Sequence, residues 1–214
     1  MERRPEGEPG LRLPGVAMAL IAVNLLVEAV LLAADRGLWG SPLWRVTAYQ
    51  YGGFWSGLLR DWQPNYPGQA VLMFATYAFL HGGPGHALGN MATLATLTPS
   101  LARRLGAWRL AVVYALSALG GAVVFGLLSA TAAPMVGASG AIFGLAGAAL
   151  VLYWEEQRRP GGVLAALAVL AALNLVTWVL AGGQLAWQTH LGGLLTGMAA
   201  TRALGRAPDQ PRVR

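Results

Sequence analysis

Short charged or Pro/Gly-rich links divide this chain into apolar runs close to the length that crosses a bilayer, and no other feature constrains its fold as strongly. A hydrocarbon core about 30 Å thick takes roughly 20 helical residues to span. Six runs come within a few residues of that length: Leu13 to Ala34, Pro84 to Leu101, Trp108 to Leu128, Ser139 to Trp154, Val163 to Leu180 and Gln188 to Leu204. The predicted fold class is therefore an all-α integral membrane protein. Residues 13–205 would form a six-transmembrane-helix bundle, flanked by tails at 1–12 and 206–214. The second and fourth runs are short, as expected of helices that begin below the membrane surface, where irregular backbone must line protein or a water-filled cavity.

Composition agrees. Of the 214 residues 56% are apolar and 11% charged, against about a quarter charged in a soluble domain. With no cysteine, a disulfide scaffold, a thiolate metal site and a cysteine nucleophile are all excluded. Arg3, Arg4 and Arg12 precede the first run as in a signal peptide, but that run is long and lacks a small-residue cleavage site, so it reads as a retained anchor.

The net charge of +6 is carried by arginine in short links, a pattern that records topology rather than a nucleic-acid partner. Twelve of the 15 arginines fall at the two ends of the chain (Arg3, Arg4 and Arg12; Arg202, Arg206, Arg212 and Arg214), in the link between the second and third runs (Arg103, Arg104, Arg109) and in the link after the fourth (Arg158, Arg159). Only Arg36, Arg45 and Arg60 lie on the other side. The positive-inside rule then places both termini in the cytoplasm, and the expected location is a bacterial inner (plasma) membrane. The first outward connection, 35–83, is rich in Trp, Tyr, Gly and Pro; it is expected to lie partly helical in the outer interface as a lateral appendage.

Polar side chains in a membrane are costly, so their positions are informative. The chain has three histidines. His81 and His86 flank the outer start of the second run, with Asn90 one turn beyond, and His190 opens the sixth run from the same side. Ser139 opens the fourth, within Gly137-Ala138-Ser139-Gly140-Ala141. Taken singly, Ser139 reads as a helix cap, Asn90 as an interhelical hydrogen bond and each histidine as packing. Two histidines and an asparagine could also hold a metal, but no carboxylate accompanies them and a Gly-Gly-Pro turn separates the histidines.

Convergence of all these groups at one depth favours nucleophilic catalysis instead. His190, Gly193 and Gly197 share one helical stripe, and Gly140 and Gly144 form a small-residue pair beside Ser139, so the two backbones can approach closely. Ser139 would be the nucleophile and His190 its base, with His86, Asn90 and the Ser139 backbone facing the oxyanion. None of the nine acidic residues is placed to orient His190. The expectation is a Ser-His dyad whose ring is positioned by packing, with Phe143 as its support and His81 bracing the turn or the outer connection. No metal or other cofactor is expected.

These residues resemble the rhomboid intramembrane serine proteases. The matching features are Thr76-Tyr77-Ala78-Phe79-Leu80-His81-Gly82-Gly83, His86 with Asn90, Arg104-Leu105-Gly106, Gly-Ala-Ser-Gly at Ser139, and His190 with Gly193 and Gly197. The resemblance implies a six-helix fold without cofactor that cleaves transmembrane protein substrates near the outer face of the lipid bilayer. It implies Ser139 as nucleophile, His190 as base, and His86 and Asn90 near the oxyanion. Leu72-Met73 stands where the family often has Trp-Arg, and Ala102 where it often has glutamate; both positions read as structural. The competing expectations are a catalytically inactive relative that binds membrane clients, and a transporter. A transporter would need charges along a path, and runs two to six have none in their interiors. No His-Glu-x-x-His motif or paired intramembrane aspartates are present.

Overall fold

The computed structural model describes residues 12–206 apart from 181 and 183, and for Leu180 the backbone alone. Most of the predicted tails, 1–11 and 207–214 with Arg3, Arg4, Arg212 and Arg214, lies outside the described residues. The described chain is helical: α1 (Gly15–Asp35), α2 (Trp44–Gly52), α3 (Gln69–Thr76), α4 (Pro84–Leu128), α5 (Ser139–Gln157), α6 (Pro160–Leu180) and α7 (Trp187–Leu204). Short 3-10 turns occupy Ser56–Leu59 and Tyr77–Phe79. Three segments are long and apolar enough to cross a membrane, namely Gly15–Asp35, Pro84–Leu128 and Pro160–Val179.

Helix α4 is two helices joined at a kink. Gly106, at φ 78° and ψ 158°, breaks the helical backbone in a region that side-chain-bearing residues rarely adopt, so 84–105 and 107–128 are termed α4a and α4b. This revises the expected end of the second run at Leu101. The apolar pattern stops at Arg103 and Arg104, but arginine is a good helix former and the helix continues until glycine ends it. Nor are the second and fourth helices short, since α5 alone has 19 residues.

The central packing is a three-helix wedge of α4b, α5 and α7. A Cβ added to Gly193 would run into the Gly140 carbonyl, and one added to Gly197 into the Gly144 carbonyl. The α5 and α7 backbones are thus in direct contact, the close approach that small residues permit in a membrane. Leu94, Leu105, Leu110, Val113, Ala141, Leu145 and Leu152 fill the core between these helices and α4a. Helix α1 lies on this core through Ala17, Asn24, Glu28, Leu31 and Ala34, one face of the helix. Helix α6 is peripheral, with no buried residue in its apolar window.

At one end of the bundle the connection 36–83 folds back on the helices. Phe54 is fully buried, edge-on to Phe74, Tyr77 and Phe125, and its backbone pairs with Met135 in the link before α5. Met73 is buried in the same cluster and Leu72 is exposed. Arg45 fastens the connection to α1. It makes a bidentate pair with Glu28 at 2.8 and 3.1 Å, contacts Asp35 at 2.6 Å, and donates to the His81 carbonyl at 3.0 Å. The hydrogen bond to Glu28 raises the pKa of Arg45, outweighing the lowering by burial. Arg60 donates to the Ser129 carbonyl at 2.9 Å, satisfying the buried C-terminal cap of α4b. At the opposite end, Arg104 and Arg206 pair with Glu156 at 3.2 and 3.1 Å, and Arg206 also reaches Glu155 at 3.3 Å. Arg206, expected to begin a tail, is thereby held against α5.

Candidate active site

Gly137 sets the local geometry from which the site is built. Its φ of +124° turns the chain into α5, and a Cβ there would lie 2.7 Å from His86 Cε1 and 3.6 Å from Asn90 Nδ2. The turn is pinned by the Gly137 N–H, which donates to the Tyr77 carbonyl at 3.0 Å. Helix α5 therefore starts against the first turns of α4a.

Ser139 is the first residue of α5, and it is not a cap. The N-cap is Ala138, with no side-chain cap hydrogen bond. Ser139 Oγ lies instead 2.8 Å from His190 Nε2, across the glycine contact between α5 and α7. His190 is 7% exposed, so its ring is fixed by protein rather than water. Phe143, one turn beyond Ser139, stacks on the ring with centroids 4.2 Å apart and planes 3° apart.

Packing is not the only constraint on that ring. Asn174 Oδ1, from α6, lies 2.5 Å from His190 Nδ1. This contact corrects the expectation of a ring positioned by packing alone. The only sequence signal is a lone amide within the apolar run Leu164 to Val179; the structure half-buries Asn174 and leaves its neighbours Leu173 and Leu175 exposed.

His86 is exposed at the residue level and lines the cavity. The Gly82 N–H donates to its Nδ1 at 3.2 Å, which leaves the ring proton on Nε2 as a free donor close to Gly137. Asn90 Nδ2 is buried without a hydrogen-bond partner, so the interhelical bond considered for it is not formed. His81 is buried, its ring nitrogens unpartnered, and its ring meets His86 edge-on at 5.0 Å. It is tied to α2 through its carbonyl, which accepts from Arg45 and from Tyr49 Oη at 2.5 Å.

Ser139, His190 and His86 all line one cavity of about 700 Å³, walled by Thr131, Met135, Trp178 and Gln188 among others. It has room for many waters or an extended peptide. The first backbone N–H groups of α5 have no carbonyl one turn behind them, since the first α5 bond in the ladder runs from Ile142 N–H to the Ala138 carbonyl. A hydroxyl beside a histidine nitrogen, at the start of a helix whose first N–H donors are unpaired and beside a cavity, can attack a carbonyl and hold the resulting oxyanion.

The chain matches the family model described as Rhomboid domain over residues 68–207. It is 34% identical over 122 residues to RHOMBOID-like protein 4 of Arabidopsis thaliana, covering 56% of this chain and 30% of that protein. To Rhomboid-type serine protease 2 of Emericella nidulans it is 31% identical over 139 residues, 64% of this chain and 27% of the relative. RHOMBOID-like protein 6, mitochondrial, of Arabidopsis thaliana is 32% identical over 143 residues, 64% of this chain and 45% of the relative. The chain thus spans less than half the length of these relatives. The matched segment contains every helix from α3 to α7 together with Ser139, His190, His86 and Asn90, and the chain belongs to the rhomboid family.

Proposed function

We propose that the protein is an intramembrane serine endopeptidase that hydrolyses peptide bonds in or near the transmembrane segments of other membrane proteins. The observation that carries this reading is the 2.8 Å contact between Ser139 Oγ and His190 Nε2, opening on the cavity. The arginine distribution supports a reading in which the chain crosses six times, α4a and α4b separately, with the site end outward and both termini in the cytoplasm.

In the first step Ser139 Oγ forms a bond to the carbonyl carbon of the substrate while its proton passes to His190 Nε2. The negative charge that develops on the carbonyl oxygen faces His86 Nε2–H, the unpartnered Asn90 Nδ2 and the free N–H groups at the start of α5. Collapse breaks the C–N bond, and the leaving amine takes the proton from His190. The ester on Ser139 is then hydrolysed by a cavity water, whose proton returns through His190 to Ser139. A helical peptide bond is shielded by its own hydrogen bonds, so substrates need small or helix-breaking residues where they are cut.

Reconstitution with a transmembrane reporter substrate tests the proposal. Ser139→Ala and His190→Ala are each expected to abolish cleavage with helical content unchanged by circular dichroism; turnover retained in either variant removes the assignment. A fluorophosphonate probe is expected to label Ser139 only when His190 is present. Absence of labelling at every pH would instead support a relative that binds membrane clients without cutting them.

A further inference from the structure

We infer that Asn174 is a positioning residue for this pair, holding His190 in the tautomer whose bare nitrogen faces Ser139. The inference rests on the reading of Ser139 and His190 given above and adds a residue to it. Stacking on Phe143 sets the plane of the ring but is indifferent to a 180° flip about Cβ–Cγ and to the tautomer, so it cannot decide which nitrogen meets the hydroxyl or which carries hydrogen. Hydrogen bonds at both nitrogens can. Asn174 Oδ1 lies 2.5 Å from Nδ1 while Ser139 Oγ lies 2.8 Å from Nε2. An amide oxygen carries no proton, so this contact places hydrogen on Nδ1 and leaves the lone pair at Nε2, where the serine proton must go.

Among the described residues Nδ1 has no other hydrogen-bond partner. Helix α5 presents Ser139 and Phe143 to the ring, α6 presents Asn174, and His86 of α4a lines the same cavity. Among the described residues no carboxylate bonds to His190. The third position, held by a carboxylate in the serine-protease triad, is here filled by a neutral acceptor. It fixes direction without adding charge.

Two measurements on the full chain test this. In protein labelled with 15N-histidine, the His190 resonances, assigned by their loss in His190→Ala, are expected to report hydrogen on Nδ1. Hydrogen on Nε2 in the neutral ring would overturn the inference, whatever the activity. In proteoliposomes, Asn174→Ala is expected to lower kcat about 10- to 100-fold, equivalent to one lost hydrogen bond, with KM unchanged. Asn174→Asp keeps the acceptor and should restore kcat. Its charge favours the imidazolium, so the acid limb of the pH–rate profile should move upward by about one unit or more. Wild-type kcat in Asn174→Ala, or an unmoved acid limb in Asn174→Asp, overturns the role. If Asn174→Ala does not fold, Asn174→Asp and the tautomer still decide. Cleavage surviving in Ser139→Ala would defeat the proposed function itself, a result distinct from any of these.

Discussion

At the residue scale, His86 and Asn90 differ from ordinary packing residues because each keeps a donor unused. His86 accepts from Gly82 at one nitrogen and leaves the other beside Gly137, and Asn90 holds a buried amide nitrogen with no partner. The unpaired Asn90 nitrogen is buried and costs stability in the resting protein, the His86 donor faces the cavity, and both gain a partner when an oxyanion forms. His86→Ala and Asn90→Ala are therefore each expected to lower kcat by about 10²- to 10³-fold in the proteoliposome assay without lowering Tm. A fall in Tm with kcat intact would assign the pair to structure instead. Ser139, His190, His86 and Asn90 are legible in the sequence because polar side chains are scarce in a chain with 11% charged residues. Asn174 is hidden from the same reasoning because a third member is sought among carboxylates, and here the acceptor is a neutral amide in another helix.

At the scale of elements, the spacing of the pair depends on the backbone contact between α5 and α7. The stripe His190, Gly193, Gly197 is readable from helical periodicity, and the structure brings it onto Gly140 and Gly144. Gly197→Ala would press a methyl group into the Gly144 carbonyl, where no side chain can move aside. The expected cost is about 1–3 kcal/mol, seen as a lower Tm in detergent together with a lower kcat. Gly161→Ala is the control, since nothing lies near its added Cβ, and its Tm should not change. Helix ends are less legible than faces. Hydropathy ends the second span at Leu101, whereas φ at Gly106 ends the helix, because arginines leave the apolar pattern without leaving the helical backbone.

At the scale of the whole molecule, the connection 36–83 is tied down by charges that no sequence spacing reveals. Arg45 reaches 17 residues back to Glu28 and 36 forward to the His81 carbonyl. It anchors the connection in a chain where Met73 is packed in the apolar cluster instead. Glu28→Gln leaves Arg45 with half its carboxylate partners, and a loss of about 3 kcal/mol is expected as for a broken buried pair; an unchanged Tm would show that Asp35 alone suffices. Sidedness can be tested cleanly because the chain has no native cysteine. An impermeant maleimide should label Thr131→Cys on intact cells, and Arg103→Cys only after permeabilisation; the reverse pattern would invert the proposed topology.

The seam of glycines has one more consequence, for the lipid around the protein. Helices answer a thicker or thinner bilayer by tilting, at a cost of fractions of a kcal/mol per Å of mismatch. With main chain resting on main chain, α5 and α7 must lean as one body, whereas α6 has no buried apolar window to hold it to them. Hydrophobic mismatch would thus be taken up first at α6, straining the Asn174 contact to His190 before it parts the α5 and α7 backbones.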